Sequence, residues 1–305
     1  MESKPPYRIR NIQEFHRLRG LPPPEHPLIS VIDYSTIHLL PGNPLSWVLD
    51  YYSISLKRTT HAKMRYGQQD YDFDSGVMFF MAPGQVFSVT VDDDAVPKHS
   101  GWILLIHPDF LWNTPLAKSI KRYEYFDYAV NEALFLSEKE EVTMNNIVHN
   151  IRQEYHSNID QFSQNIIISQ IETLLNYAER FYQRQFITRK ITNHQLLDQL
   201  EQLLTDYFNN DELMAEGLPT VQYVAEALHL SANYLSGLLK VLTGQSTQQH
   251  IQEKLIGKAK EKLSTTDLSV SEIAYDLGFE HPQSFSKLFK AKTNLTPSAF
   301  RQSFN

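Results

Sequence analysis

The spacing of apolar positions changes character along this 305-residue chain. From about Leu28 to Arg122 the apolar residues come in short runs: Leu28 to Tyr34, Trp47 to Lys57, Val77 to Met81, Val86 to Val91 and Trp102 to His107. Pro-Gly-Asn, Asp-Ser-Gly, Ala-Pro-Gly and Asp-Asp-Asp separate them. Short runs between turn-forming clusters predict an all-β sandwich or barrel. From Ser137 the period lengthens to that of helices. Ser137 to Tyr155 opens with Ser137-x-x-Glu140, a capping box. Phe162 to Phe186 follows, with Ile167, Ile171, Leu174, Leu175, Ala178 and Phe181 on one side. Ahead of all this, Leu21-Pro22-Pro23-Pro24 and Pro27 predict an extended stretch. The fold class is therefore α+β, with strands first and helices after.

The last 110 or so residues are helical throughout and repeat. Val224-Ala225 lies 49 residues before Ile273-Ala274, and Leu235-Ser236, Lys240 and Thr243-Gly244 lie 50 before Phe285-Ser286, Lys290 and Thr293-Asn294. A repeat at such spacing is one supersecondary unit used twice. Each copy has helix-turn-helix grammar. Thr220 and Ser231 are placed to cap the two helices of the first copy. Ser269-x-x-Glu272 caps the second copy, Gly278 makes its turn, and His281 before Pro282 is placed to cap its second helix. Small Ala225 and Ala274 allow close helix crossing. Between the copies, Thr247 to Leu263 predicts one helix with Ile251, Leu255, Ala259 and Leu263 on one face. Its Lys254, Lys258, Lys260 and Lys262 are candidates either for phosphate contact or for a solvated basic face.

The second helix of each copy has an apolar side and a side of hydrogen-bonding groups, as a helix reading a major groove requires. In the later copy Phe285, Leu288 and Phe289 face inward, while Gln283, Ser286, Lys287 and Lys290 fall outward. Two such helices on one rigid body enter successive grooves when they sit about 34 Å apart. Charge supports an uneven surface more than a uniformly basic one. The formal net charge is −7. Seven acids and no Lys or Arg lie between Asn193 and His229, but nine bases face six acids from Leu230 onward. With no cysteine, disulfides, thiolate catalysis and cysteine zinc sites are excluded. That composition fits a cytoplasmic location. Met1 to Gly20 has no apolar run resembling a signal peptide, and no stretch is long and apolar enough to span a membrane.

Ser271-Glu-Ile-Ala-x-x-x-Gly-Phe, then Phe285-Ser-Lys-x-Phe-Lys, then Leu295-Thr-Pro-Ser-x-x-Arg301 resemble the AraC/XylS family of bacterial transcription regulators, over Asn193 to Asn305. The prolines leave residues 1–28 as an extended lead-in, and the resemblance implies 29–135 as a jelly-roll, cupin-like effector domain. It implies 136–192 as linker and dimerisation helices, and 193–305 as an all-α DNA-binding domain with two helix-turn-helix units. It implies Ala232, Asn233, Ser236 and Gly237 as base-reading positions in the first unit, with Ser231 at its cap. In the second they are His281, Pro282, Gln283, Ser286 and Lys287, while Lys240 and Lys290 meet phosphates. Gly237 stands where the family commonly carries arginine, which marks the second unit as the better reader. The implied partners are double-stranded promoter DNA, RNA polymerase, a small-molecule effector and a second copy of the chain, with activation the commoner outcome.

The β region offers little catalytic chemistry. Metal-binding cupins converge His-x-His, an acid and a later His. Tyr66 to Gly76 has no histidine, and Gln85 and Phe87 stand near where a later ligand is expected. His61, His99 and His107 are scattered, and Asp92-Asp93-Asp94 reads as a solvated turn. No metal, cofactor or catalytic group is assigned. Trp47, Tyr51 and Tyr66 are candidate pocket residues, with Lys57 or Arg65 as partners for an anionic effector. Two rival readings are an effector-free regulator whose β domain only dimerises or meets a protein, and a cupin enzyme with an accessory DNA-binding domain.

Overall fold

A computed structural model describes residues 6–37, 46–60, 64–66, 69–71, 76–88, 98–129, 132–156, 160, 162–188, 190–209 and 217–303. The chain divides into two compact units, Met1–Gln185 and Phe186–Asn305. The Asp92-Asp93-Asp94 turn, His61 and the acids Asp211, Glu212 and Glu216 lie outside the described residues.

In the first unit the strands are β1 (Tyr7–Ile9), β2 (Ile29–Asp33), β3 (Ser46–Leu49), β4 (Tyr52–Thr60) and β5 (Met64–Tyr66). They continue with β6 (Gln69–Tyr71), β7 (Val77–Met81), β8 (Val86–Ser88), β9 (Lys98–Ile106) and β10 (Leu134–Phe135). One sheet has the order β1-β3-β8, a second β10-β7-β4-β9-β2, and β5 pairs with β6. Every pairing in the five-stranded sheet is antiparallel, whereas β1 runs parallel to β3. Side chains alternate across a strand, so the five-stranded sheet has two buried faces. One carries Val77, Phe79, Ile103 and Leu105, which share a core with Trp47 and Leu49 of the three-stranded sheet. The other carries Ile54, Leu56, Met78 and Leu104, each no more than 1% exposed.

One expectation is corrected here. Residues 1–28 are not wholly extended: they form β1 and helix α1 (Ile12–Leu18), which Asn11 caps by accepting the Glu14 N–H. Ile9, Ile12 and Phe15 are buried in the same core as Trp47, and that burial outweighs the extended bias of the prolines. His16 is fixed between the Pro22 carbonyl at 2.6 Å and the Ser30 hydroxyl at 3.0 Å, and burial lowers its pKa. Short helical turns follow β9. Pro108–Leu111, Ile120–Arg122 and Glu124–Asp127 are 3₁₀ turns around α2 (Pro115–Ser119). Prolines start two of these elements, as suits a first helical turn.

Helices α3 (Glu138–His156) and α4 (Ser163–Thr188) begin as the periodicity predicts. The Ser137–Glu140 capping box forms, with Ser137 N–H donating to Glu140 at 2.8 Å and the Glu140 N–H donating to the Ser137 hydroxyl at 3.4 Å. Arg184 of α4 forks onto Glu140, and Trp102 donates its indole N–H to Asn145 of α3 at 2.8 Å. Ile167, Ile171, Leu174, Leu175, Ala178 and Phe181 are all buried within the one chain. That face is core, so a second copy of the chain cannot use it.

The second unit is helical: α5 (Lys190–Asn209), α6 (Val221–Ala227), α7 (Ala232–Thr243), α8 (Thr247–Thr265), α9 (Val270–Asp276), α10 (Pro282–Thr293) and α11 (Pro297–Gln302). One core joins Leu200, Leu204 and Phe208 of α5 to Ile251, Leu255, Ala259 and Leu263 of α8 and to both repeated units.

Candidate nucleic-acid interface

The two helix-turn-helix units match at the level of single hydrogen bonds. In the first, the Leu230 N–H donates to Ala225 O at 2.9 Å and the His229 N–H to Glu226 O at 3.0 Å. In the second, Phe279 N–H meets Ala274 O at 3.0 Å and Gly278 N–H meets Tyr275 O at 2.9 Å. These are paired Schellman closures. His229 and Gly278 take the left-handed conformation that each requires, with φ of 58° and 84°. Ala225 and Ala274 are completely buried at the helix crossings.

The caps set where each reading helix starts and stops. Ser231 accepts the Tyr234 N–H at 3.2 Å, and Thr220 does the same for Tyr223 in α6 at 3.0 Å. At the far ends Gly244 and Asn294 turn left-handed and donate to Lys240 O and Lys290 O. Thr243 and Thr293 each return a hydroxyl hydrogen bond of 2.8 Å, to Leu239 O and Phe289 O. Ser269 and Glu272 form the complete capping box of α9. The Ser269 N–H, and then its hydroxyl, holds the Glu272 carboxyl below its usual pKa, so the box is intact at neutral pH and opens as pH falls through that lowered value. Ser269→Ala is expected to cost about 1 kcal/mol, read from the urea midpoint of the helical signal.

Leu235, Leu238 and Leu239 of α7 and Phe285 and Phe289 of α10 are buried, while Leu288 is half-buried. With the inner side occupied, α10 exposes Gln283, Lys287 and Lys290. Their spacing of four and then three residues puts them along one stripe. His281 is exposed, and Pro282 and Ser286 are half-buried at its edge. In α7 only Lys240 is fully exposed among the expected contacts, with Ser231, Ala232, Asn233, Ser236 and Gly237 half-buried.

Three expectations change. His281 occupies the cap position of α10, but its side chain makes no capping hydrogen bond; an imidazole is a poorer fit there than a short oxygen side chain. The Ser236 hydroxyl lies 3.0 Å from the buried Thr247 hydroxyl, so it ties α7 to the start of α8 rather than standing clear for a base. The α8 lysines are engaged internally. Lys254 pairs with Glu201, Lys258 with Glu261 at 3.0 Å and Lys262 with Asp276 at 2.5 Å, while Lys260 sits 5.9 Å from the Phe300 ring. Charges that neutralise neighbouring acids are poorly placed to neutralise phosphates as well. Arg301, legible only as part of a motif, is a clamp: its guanidinium donates to Leu263 O at 3.1 Å and Leu268 O at 2.6 Å, closing α11 over the end of α8.

In the first unit, the candidate pocket residues Trp47 and Tyr51 share the core between the two sheets, 5% and 0% exposed. Lys57 is 9% exposed on the same face, its ammonium 5.0 Å from the Tyr34 ring and 5.2 Å from the Phe79 ring. Arg65 and Tyr66 belong to β5, and their side chains lie outside the described residues, as does that of His99. Gln85 spends its carboxamide on the Ala82 N–H and the Phe126 carbonyl, and His107 caps a 3₁₀ turn.

The family described as "Helix-turn-helix domain" matches residues 224–303. The HTH-type transcriptional regulator YfiF of Bacillus subtilis is 32% identical over 47% of this chain and 42% of its own length. The HTH-type transcriptional activator RhaS of Salmonella arizonae is 36% identical over 36% of this chain and 37% of its own. The C-terminal domain of the two-component response regulator yesN from Fusobacterium nucleatum is 30% identical, covering 34% of this chain and 95% of that one, with a TM-score of 0.30. The two paired helices, the family match and the two curated relatives define an AraC-type DNA-binding domain. That domain is similar to those of AraC/XylS-type regulators. The matches span less than half the length of either curated relative.

Proposed function

We propose that this chain is a sequence-specific transcription regulator, an activator, whose first unit is a jelly-roll, cupin-like sensor of a small molecule. The observation that carries the DNA-binding part is the tandem pair of reading units with matched closures, caps and outward lysines. In this reading α10 supplies most base recognition. Gln283 pairs with adenine and Lys287 donates to guanine, while Lys240 and Lys290 hold phosphates. Asn233 and the start of α7 contribute less, because Gly237 and the engaged Ser236 leave that helix few donors. Effector binding favours one disposition of the two units, or of two subunits, and so alters promoter occupancy or contact with RNA polymerase. The protein works in the cytoplasm without a catalytic group, metal or cofactor. A homodimer built on the linker helices would use exposed Phe162 and Ile166, because the opposite face of α4 is buried.

Selecting bound sequences from random DNA tests the reading directly, and recovery of no common motif would refute it. Lys287→Ala is expected to relax preference at one base position at a cost of about 1–3 kcal/mol; an unchanged selected motif removes that assignment. Lys240→Ala and Lys290→Ala should weaken all sequences alike, each reducing the log–log salt slope by about 1. A slope equal to that of the unaltered protein removes the phosphate role.

A further inference from the structure

The segment that carries the chain from α1 to β2 is a strap tied down by imidazoles. Four of the eight residues from Leu21 to Leu28 are proline, so the strap has few N–H groups with which to join a sheet. Of those that remain, Leu21 donates to His16 O at 2.9 Å and Leu28 to His26 Nδ1 at 3.1 Å. Side chains add the other ties. His16 of α1 is buried, with Nδ1 2.6 Å from Pro22 O and Nε2 3.0 Å from the hydroxyl of Ser30 in β2. His26 sets its ring edge-on to Phe110, with centroids 5.6 Å apart. In the middle, Glu25 meets Nδ1 of His156, the last residue of α3, at 2.5 Å. His156 stacks on Tyr155, whose hydroxyl lies 3.4 Å from both N and O of Val31 in β2. Leu21 packs against the core that holds Ile12 and Phe15.

Two of these ties need a neutral ring. A nitrogen that accepts the Leu28 N–H cannot carry a proton, so an imidazolium at His26 loses that bond outright. At His16 the Pro22 carbonyl can only accept, which puts the proton of the neutral ring on Nδ1 and leaves Nε2 to accept from Ser30. A second proton removes that acceptor and leaves a charge in a buried site. Burial lowers the pKa of both rings. Charged and titratable groups face the strap from three elements. On α1, Glu14 and Arg17 line the groove beside His16, but Glu14 is engaged by Tyr7 and the Arg10 N–H, and Arg17 is itself a cation. On the turn after β9, Asp109 lies 3.5 Å from His107. On α3, Tyr155 feels the charges of Arg152 and Glu25. Among the described residues no acid acts on His16 or His26. The Glu25–His156 tie has the opposite sense, because a proton on His156 makes it a full ion pair.

We infer that Leu21 to Leu28 is an acid-released strap: neutral His16 and His26 hold its two ends, protonation undoes both ties, and the segment swings about the Glu25–His156 pair, lifting Leu21 from the core. Because the closed form holds both rings neutral, each contributes stability that is complete above about pH 6.5 and is lost as pH falls below it. The ratio of closed to open strap then falls by at most about tenfold per pH unit for one histidine and about a hundredfold for two. The device belongs to the first unit alone and operates whether or not that unit senses a small molecule.

Amide exchange of the full chain between about pH 7.5 and about pH 5.5, corrected for the intrinsic pH dependence of exchange, tests this together with titration of the histidine ring protons. Protection of the Leu21 and Leu28 amides should fall at least about tenfold over that range, while the amides that pair β4 with β9 keep theirs. His26→Asn puts a short oxygen near where Nδ1 stood, and that oxygen takes the N–H two residues on without titrating. The variant should keep its protection at about pH 7.5 and recover about half of the loss at about pH 5.5 on a logarithmic scale. Where the variant disturbs folding, the ring titrations of the unaltered chain decide, with His16 and His26 both expected to titrate below about 6.5. Protection that holds to about pH 5.5, an equal loss in His26→Asn, a loss shared by the β4–β9 amides, or rings that titrate at or above about 6.5 each overturn the inference.

Discussion

Phe289→Ala will destabilise the second unit by about 3–5 kcal/mol, the usual cost of removing a fully buried aromatic ring. Phe289 is 0% exposed and lies in the middle of a row, with ring centroids 5.8 Å from Phe285 and 5.5 Å from Phe300. Phe279 extends the row, 5.5 Å beyond Phe285. Truncation leaves a hole between Phe285 of α10 and Phe300 of α11. For a domain of this size the midpoint of thermal unfolding should fall by roughly 10–20 °C. The measurement can be made on one unit within the whole chain. All three tryptophans, Trp47, Trp102 and Trp112, belong to the first unit, so their emission follows that unit alone. Far-ultraviolet circular dichroism follows the helices of both units, so a transition that moves while tryptophan emission stays in place belongs to the second. A dichroism midpoint that stays in place would show that the aromatic row is not the centre of this domain. Phe289→Leu, which keeps much of the volume, should lose far less.

Gly278→Ala is the second large effect, and its cause is backbone rather than side chain. Gly278 has φ of +84°, a conformation that costs other residues about 1–3 kcal/mol. A Cβ built there also meets the backbone of Gly217, at 2.9 Å from its carbonyl carbon and 3.0 Å from its oxygen. That oxygen is itself held by the Tyr207 hydroxyl at 3.0 Å, so the chain there has little freedom to retreat. Strain and displacement together should cost about 2–4 kcal/mol and shift α10 relative to α9. Affinity for the selected DNA site should drop well beyond the change in stability. Unchanged affinity would mean the turn does not set the position of the reading helix.

How far the sequence could be read depended on the range of the interactions. Schellman turns, the apolar stripes of α7 to α10 and the caps at Thr220, Ser231 and Ser269 are set by residues within five positions of one another and are legible in the sequence, whereas His281 holds its position without a capping hydrogen bond. The capping box at Ser137 was legible too. Roles created by distant partners were not. Nothing near Lys254 or Lys262 in sequence announces Glu201 or Asp276, and nothing at Ser236 announces Thr247. The extended signal of the prolines after Leu21 dominates the local pattern of Ile9, Ile12 and Phe15, so α1, with Arg19 at its end, is not legible from neighbouring residues. The stacking of Arg19 on Trp47 exists only because β1 pairs beside β3, a contact no local period encodes. The strand order β10-β7-β4-β9-β2 was hidden for the same reason.

The two reading units are offset by 49 residues at their first helices and by 50 at their second, so the later turn is one residue longer, at Glu280. Within a helix one added residue rotates everything beyond it by about 100° and would swing Lys287 and Lys290 away from their stripe. Before a cap it does nothing of the kind, because helical phase is counted afresh from the first capped residue. The joint at Glu280 is thus a clutch between two gears. Chain can be gained or lost there while the azimuth of the reading face stays fixed, which lets the two copies diverge in length without losing their common aim.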